Sequence, residues 1–315
     1  MEESWRVFMI QFEQNMPLTN VTCVWPANAL LGEGPLWEPE QSALWWVDIR
    51  APALHRWCLR SGARARWMLP EWIGCLAITD RGDLLLALRS GLHLAKRPRA
   101  GRPLSLKLIA SFPEPNERLR FNDGKVAPDG SFWVGTMDDE EVEDLGCWYR
   151  WTPTSGWQTM VEGFRVTNGP AFDPSRGCVY LTDSARRTIY RSRWQPGTTE
   201  LELTVFRQLE SSHGYPDGMN IDGQGRLWVA FWDGWCVRAF DPESGAIVQE
   251  IRLPVPRPTS VIPVHRRPPG LIVTSARIGL TKEELECAPL SGGLFFIEAP
   301  EMRTALSIPR VQLPI

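Results

Sequence analysis

The sequence lacks the motifs of several common enzyme classes. No serine has a glycine two positions before it, so the G-x-S-x-G nucleophile motif is absent, and neither G-x-G-x-x-G nor a Walker lysine occurs. The four histidines, at 55, 93, 213 and 265, include no H-E-x-x-H pattern, which leaves few ligands for a zinc hydrolase site. These absences argue against serine-hydrolase, dinucleotide and nucleotide chemistry.

Export and membrane signals are also missing. The seven cysteines are odd in number, widely spread and without C-x-x-C, which argues against a disulfide framework or a thiolate zinc site. The first fifteen residues are acidic and lack the apolar core of a signal peptide. An uncharged run at 15–32 is interrupted by asparagine, threonine and proline, so it does not predict a membrane span. We therefore expect a cytoplasmic protein without a membrane anchor.

Charge and length set further bounds. The formal net charge is −3 and the basic residues are scattered, so nothing predicts binding to nucleic acid or to an anionic membrane. A chain of 315 residues with 43% hydrophobic content can bury a large core. Met16 is an alternative start, because ordered-looking sequence begins near Thr22. Nothing in the sequence reports an oligomeric state, and a monomer is the default expectation.

A long-period repeat organises the chain. Blocks with a polar residue, a short apolar run, an Asp, Pro or Gly turn and a second apolar run recur roughly 40 to 50 residues apart, which is the spacing of propeller blades. We therefore predict an all-β, six-bladed β-propeller over residues 21–315, after a poorly ordered extension at 1–20. A β-sandwich or a jelly roll is the alternative fold. Either the segment at 21–27 or the C-terminal segment could complete the last blade, and "TKEELECA" at 281–288 is the only helix-like stretch. The six units begin at Glu33, Gly74, Asn122, Asn168, Asp217 and Ser260.

Four of the units share a polar residue in the same phase. In each, this residue lies six positions before the same turn position, as with Glu33 and Pro39. If the apolar run that follows is the innermost strand, the four side chains converge at one mouth of the central channel. A cap on the local backbone is the alternative for any one of them alone. The four residues are Glu33, Asn122, Asn168 and Asp217.

Convergence of two carboxylates and two amides predicts a metal site. Two buried carboxylates repel each other, at a cost of several kcal/mol (roughly) unless a cation compensates. Oxygen ligands suit Ca²⁺, Mg²⁺, Mn²⁺ or Fe²⁺, and they argue against a closed structural zinc site. With three protein ligands, positions stay open for water and substrate, and Zn²⁺ also remains a candidate for such an open catalytic site.

The ordered motifs resemble those of a known family. "LGEGPLWEPEQSALWWVDI", "RFNDGKVAPDGSFWVGTMD", "VTNGPAFDP" and "YPDGMNIDGQGRLWVAFWDG" are similar to successive signatures of the regucalcin and gluconolactonase family. The resemblance runs from about residue 21 to about residue 297. It implies a six-bladed propeller that hydrolyses sugar lactones with one divalent metal ion. The last blade looks like that of bacterial pentonolactonases and gluconolactonases.

The resemblance also implies roles for individual residues. Glu33, Asn168 and Asp217 match the family's metal ligands, and Asp217 matches its proposed general base. Arg120 matches a substrate-binding arginine, and Asn122 matches a residue beside the metal that contacts substrate or water. An acidic residue after "GTM" binds sugar hydroxyls in some members, and counting assigns it to Glu140. Other acids between positions 138 and 144 could replace it after a shift of register.

We therefore predict a lactonase that opens an aldonolactone to the aldonic acid, in pentose or hexose oxidation. Asp217 or the metal ion activates the water, and Arg120 and Asn122 hold the polar groups of the lactone. One alternative is the same metal site acting on another ester, such as a phosphotriester or an aromatic lactone. Another is a non-catalytic propeller that binds calcium or a protein partner. The motifs do not discriminate among the sugar lactones.

Overall fold

Six four-stranded antiparallel sheets follow one another in the computed structural model, which describes residues 21–114, 116–302 and 308–314. From innermost to outermost, the strands of the first sheet are β2 (Gly32–Glu38), β3 (Ala43–Asp48), β4 (Ala53–Cys58) and β5 (Arg64–Met68). Those of the second are β6 (Ile73–Ile78), β7 (Leu84–Leu88), β8 (Gly91–Ala95) and β9 (Leu106–Ser111). Those of the third are β10 (Leu119–Val126), β11 (Phe132–Asp138), β12 (Gly146–Thr152) and β13 (Gly156–Phe164). In the same order, the strands of the fourth sheet are β14 (Thr167–Asp173), β15 (Cys178–Asp183), β16 (Thr188–Arg193) and β17 (Thr204–Gln208). Those of the fifth are β18 (Tyr215–Ile221), β19 (Leu227–Trp232), β20 (Cys236–Phe240) and β21 (Ile247–Arg252). Those of the sixth are β22 (Pro258–Val264), β23 (Gly270–Ser275), β24 (Leu294–Glu298) and β1 (Val21–Trp25).

The first strand of each sheet forms part of an inner ring. Each of these strands, β2, β6, β10, β14, β18 and β22, contacts the first strand of the sheet on either side. The sheets are therefore blades around a central channel, and the predicted six-bladed β-propeller is confirmed. All six innermost strands run in the same direction along the channel, so their first residues meet at one end, called here the upper mouth.

The N-terminal segment closes the ring. Strand β1 pairs antiparallel with β24, so it is the outermost strand of the sixth blade, which decides between the two closures that the sequence left open. The C-terminal segment instead lies beside the second blade, where Val311 forms a parallel bridge with Thr79. The extension expected at 1–20 lies outside the described residues.

Tryptophans fill the space between blades. Trp45, Trp133 and Trp228 occupy the second strands of the first, third and fifth blades, and their side chains are fully buried. The indole nitrogen of Trp45 donates to Glu38 and that of Trp228 to Asp222, at 3.0 and 2.9 Å. The rings are buried while their polar groups stay hydrogen-bonded, which stabilises the packing of neighbouring blades.

Helical structure is a minor part of the described chain. The α-helix α1 spans Lys282–Cys287, within the stretch that the sequence marked as helix-like, and a capping box between Thr281 and Glu284 begins it. Two 3₁₀ segments span Pro39–Gln41 and Ser211–His213. Across the described ranges, no helix has both the length and the apolar character that crossing a bilayer requires.

Candidate active site at the upper mouth of the channel

The four polar residues that share a phase in the repeat all lie on innermost strands. Glu33 is on β2, Asn122 on β10, Asn168 on β14 and Asp217 on β18, and each is between 3% and 8% exposed. Beside each of them, the pairing with the next strand shifts register. Such a bulge bends the strand and re-aims a side chain. The shared phase therefore corresponds to an equivalent position in four blades.

The two amides contact each other across a blade boundary. The side-chain nitrogen of Asn122 donates to Oδ1 of Asn168 at 3.3 Å and to the carbonyl oxygen of Thr167 at 2.8 Å. The side-chain nitrogen of Asn168 donates in turn to Ser184 Oγ at 2.8 Å. These bonds fix the orientation of both amides. Because an amide oxygen has two lone pairs, Oδ1 of Asn168 keeps one for another partner.

Three carboxyl groups interact at this end of the channel. Burial, followed by the charge of Asp123, raises the pKa of Glu33 to about 8. Burial, followed by the charges of Glu33 and Asp123, raises the pKa of Asp217 well above its usual range. Burial also raises the pKa of Asp123. The ionised forms of these groups therefore oppose one another, which is the repulsion that the sequence predicted for Glu33 and Asp217.

The donor set fits a divalent cation. The charge of Lys125 favours ionisation of Asp123 and Glu33, and that of Arg120 also favours ionisation of Glu33, yet the pKa of both carboxyl groups stays raised. A hard cation beside Glu33, Asp217 and the free lone pair of Asn168 would relieve the repulsion with oxygen ligands. Within the described ranges, no group of three or more His, Cys, Asp or Glu side chains is arranged to hold a metal ion. The predicted set has two carboxylates and one amide, so its role as ligands stays a prediction.

Arg120 is held by a carboxylate that sequence counting did not choose. Its Nε donates to Oδ1 of Asp139 at 2.7 Å, and one terminal nitrogen donates to Oδ1 of Asn122 at 2.7 Å. Arg50 from the first blade also donates to Asp139, at 2.7 Å. Burial, followed by the charge of Arg50, lowers the pKa of Arg120. Two guanidinium groups thus share one carboxylate beside the predicted metal site.

The predicted sugar-binding acid, Glu140, lies in a different environment. It is exposed in the turn after β11, where its backbone nitrogen donates to Asp138 at 3.3 Å. Asp139, one position earlier, is the acid that reaches Arg120. The role of Glu140 as a sugar-binding acid stays a prediction.

Several residues of the site were missed by reasoning from the sequence. Asp123 directly follows Asn122 and Lys125 follows two positions later, so their place on an innermost strand was a usable signal. Arg50 carried no such signal, because it follows a second strand of the first blade, and its ion pair with Asp139 of the third blade spans the intervening second blade. Arg50 and Asp139 are far apart in the sequence, so no local pattern predicted their contact.

The other end of the channel is a largely apolar cavity of about 520 Å³. Its walls continue the innermost strands, and Ile308 and Pro309 of the C-terminal segment also line it. Asp123 and Lys125 border this cavity as well, so they separate it from the upper mouth. The apolar residues of its walls include Leu36, Leu76, Val126, Phe172, Ile221 and Ile262.

Fold and site together define a class of protein. A six-bladed propeller with buried acid and amide groups at one end of its channel, next to a buried arginine, has the features of a small-molecule site. Residues 31–277 match the family model described as the SMP-30/gluconolactonase/LRE-like region. The chain belongs to this family, as its motifs predicted.

Relatives with curated names agree with the assignment. The chain is 37% identical over 277 residues to a 6-deoxy-6-sulfogluconolactonase of Pseudomonas putida, covering 87% of this chain and 92% of the relative. It is 30% identical over 269 residues to the putative sugar lactone lactonase YvrE of Bacillus subtilis, covering 85% and 90%. The comparisons therefore support the prediction of an enzyme of the lactonase class.

A solved structure shares the whole architecture. The crystal structure of a calcium-binding protein, regucalcin, from Agrobacterium tumefaciens superposes with a TM-score of 0.83 at 26% identity. The match covers 92% of this chain and 97% of the other. The same arrangement of blades thus extends over nearly the full length of both proteins.

Proposed function

We propose that this protein is a metal-dependent lactonase that hydrolyses a sugar lactone to the open-chain aldonic acid. The observation that carries the proposal is the pair of buried carboxyl groups, Glu33 and Asp217, which lie at equivalent positions of innermost strands, where burial and neighbouring carboxylates raise the pKa of each. Oxygen of Asn168 completes a set suited to a hard cation. Family membership gives this donor set a chemical context, because relatives carry the names of lactonases.

Glu33, Asn168 and Asp217 would hold the cation in this proposal. A divalent cation, when bound, supplies Lewis-acid stabilisation of the negative charge that develops on a carbonyl oxygen. The cation is one of Ca²⁺, Zn²⁺, Mn²⁺, Mg²⁺ or Fe²⁺, since oxygen ligands alone do not rank them. The reaction needs nothing beyond water and the lactone.

The protein's own side chains would orient the reactants. Arg120 and Asn122 are already hydrogen-bonded to each other, so they present a rigid pair of polar groups to the lactone. Asp217 would accept a proton from the attacking water, which adds to the carbonyl carbon. The ring carbon–oxygen bond then breaks, and the proton passes to the departing ring oxygen. The product is a hydroxy acid.

Arg50 and Arg120 bear on the choice of substrate. Both guanidinium groups pair with the one carboxylate of Asp139, so this cluster of three side chains carries one more positive charge than negative charge. A lactone with an anionic substituent is therefore a substrate worth comparing with a neutral one. The name of the Pseudomonas putida relative points to such a compound, a sulfonated gluconolactone.

The decisive experiment measures acid release from a panel of lactones. Protein stripped with a chelator is reloaded with each of the five cations, and every rate is compared with an enzyme-free control containing the same metal. The panel contains neutral aldonolactones, 6-deoxy-6-sulfogluconolactone, an aromatic lactone and a phosphotriester. Rapid metal-dependent opening of a sugar lactone supports the proposal. Turnover of the other esters alone, or cation binding without turnover, would instead support the esterase or the non-catalytic alternative.

A further inference from the structure

One lysine connects two of the three blades that carry predicted metal ligands. The ammonium group of Lys125, on the third blade, donates to the carbonyl oxygen of Pro170 at 3.0 Å and to that of Met219. Pro170 belongs to β14 of the fourth blade and Met219 to β18 of the fifth. A single side chain therefore bridges the backbones of two neighbouring blades beneath the upper mouth.

The two acceptors stand in the same relation to the site. Pro170 lies two residues after Asn168, and Met219 lies two residues after Asp217. The register shift of β14 follows Asn168 directly and that of β18 includes Asp217, so regular ladder pairing is interrupted at each ligand. Without the ladder, the position of each ligand depends on other hydrogen bonds. Lys125 supplies one such bond to each segment.

Neighbours of Lys125 on β10 hold the same segment of the fourth blade. The backbone nitrogen of Gly169 donates to Oδ2 of Asp123 at 3.0 Å, and Asn122 donates to the carbonyl of Thr167 at 2.8 Å. Strand β10 thus contacts the backbone immediately before and after Asn168. Lys125 is the member of this group that also reaches the fifth blade.

We propose that Lys125 is a positioning residue that fixes the separation of Asn168 and Asp217 and so sets the affinity of the site for its cation. The inference rests on the proposed function, because it takes these two residues as ligands. In this role Lys125 would act without contacting the cation or the substrate, because its ammonium group is bonded to the two backbone carbonyl groups. Its effect passes through the carbonyl groups of Pro170 and Met219.

The sign of the effect distinguishes positioning from simple electrostatics. Removing a positive charge near a cation site should tighten cation binding if charge alone matters, since like charges repel. Loss of a residue that orients ligands instead weakens metal binding, typically by about 10- to 100-fold. The two roles of Lys125 therefore predict opposite changes in the dissociation constant.

The test titrates Ca²⁺ and Mn²⁺ into the chelator-stripped full chain by calorimetry. Lys125→Met keeps the length of the side chain but removes its donors, and we expect the cation dissociation constant to rise by about 10- to 100-fold. Lys125→Arg restores donors and charge, and it should recover part of the affinity. Lys107→Met, at an exposed position of β9, is the matched control and should leave the constant within about twofold of wild type.

The outcomes separate this inference from the proposed function. If wild type binds the cation and Lys125→Met binds it equally well or more tightly, the positioning role is wrong. If wild type neither binds a cation nor opens lactones, the proposed function itself fails. Circular dichroism checks that the variant is folded. If Lys125→Met does not fold, Lys125→Gln, which keeps one donor group, is titrated in its place. The same rise in the dissociation constant is expected, and unchanged or tighter binding would again overturn the inference.

Discussion

The two ends of the central channel are built from the same six strands but differ in chemistry. The upper mouth contains buried acids, amides and an arginine, whereas the lower cavity has mainly aliphatic and aromatic walls. Strand β18 shows the change within a few residues, since Asp217 belongs to the upper end and Ile221 to the lower one. The register shifts lie between the two ends.

This difference separates the requirements of chemistry from those of stability. Buried carboxylates that repel one another lower the stability of the metal-free fold, as expected for residues selected for reaction rather than packing. The blade interfaces, and the packing of the C-terminal segment at the lower end, bury apolar surface and stabilise the ring. Variants at the upper mouth should therefore change activity, and variants at the lower end should change stability.

The largest effect is expected for Asp217→Ala. Loss of one predicted ligand and the proposed base should lower lactone turnover by about 10³-fold or more, while the fold is kept because no blade core is touched. Asn220→Ala, at the lower end of the same strand, is the control, and its lactone turnover should stay close to that of wild type. Steady-state rates and circular dichroism of both variants check this. Full activity in a folded Asp217→Ala protein would mean that the upper mouth is not the active site.

Binding of a metal cation at the upper mouth should raise the thermal stability of the protein. A ligand at 100 times its dissociation constant stabilises the native state by about 2.7 kcal/mol, so the thermal midpoint should rise with added cation and fall again with chelator. The Asp217→Ala variant should show little of this rise. Differential scanning calorimetry of both proteins provides the measurement. Equal shifts in the two proteins would place cation binding elsewhere.

Arg120→Ala should act mainly on substrate binding. A hydrogen bond to a charged group contributes about 1.5–3 kcal/mol, so we expect KM to rise by roughly 10-fold or more with a smaller change in kcat. Arg118→Ala is a suitable control, because Arg118 is partly exposed and pairs with Asp138 and Glu143 rather than with Asp139 or Asn122. Measurement of kcat and KM on one lactone for both variants tests this expectation. A fall in kcat at unchanged KM would assign Arg120 to the chemical step instead.

The smallest change in activity is expected at the lower end. Val311 is fully buried against the second blade, and its backbone nitrogen donates to the carbonyl of Ile78 at 3.0 Å. Removing two buried methyl groups in Val311→Ala should cost about 1.5 kcal/mol of unfolding free energy. Lactone turnover should stay within about twofold of wild type. A large loss of activity at unchanged stability would show that the two ends are coupled.

Much of the fold was readable from the sequence because the repeat is regular. The apolar and turn residues of each unit specify four strands, and the shared phase of Glu33, Asn168 and Asp217 predicted an equivalent position on separate blades. The closing strand β1 was ambiguous, because two segments had suitable composition and pairing partners are chosen by the assembled sheet. Counting along an acidic loop selected Glu140, whereas the folded turn brings Asp139 to Arg120.

The sequence by itself determined the blade count, the family and the phase of the polar residues, because these depend on spacing along the chain. Only the tertiary structure decided which residues meet across blades. Arg50 reaches Asp139 over 89 positions, and Lys125 reaches Met219 over 94. Ring closure sets these contacts, since each depends on the rotation and distance between whole blades rather than on any local pattern.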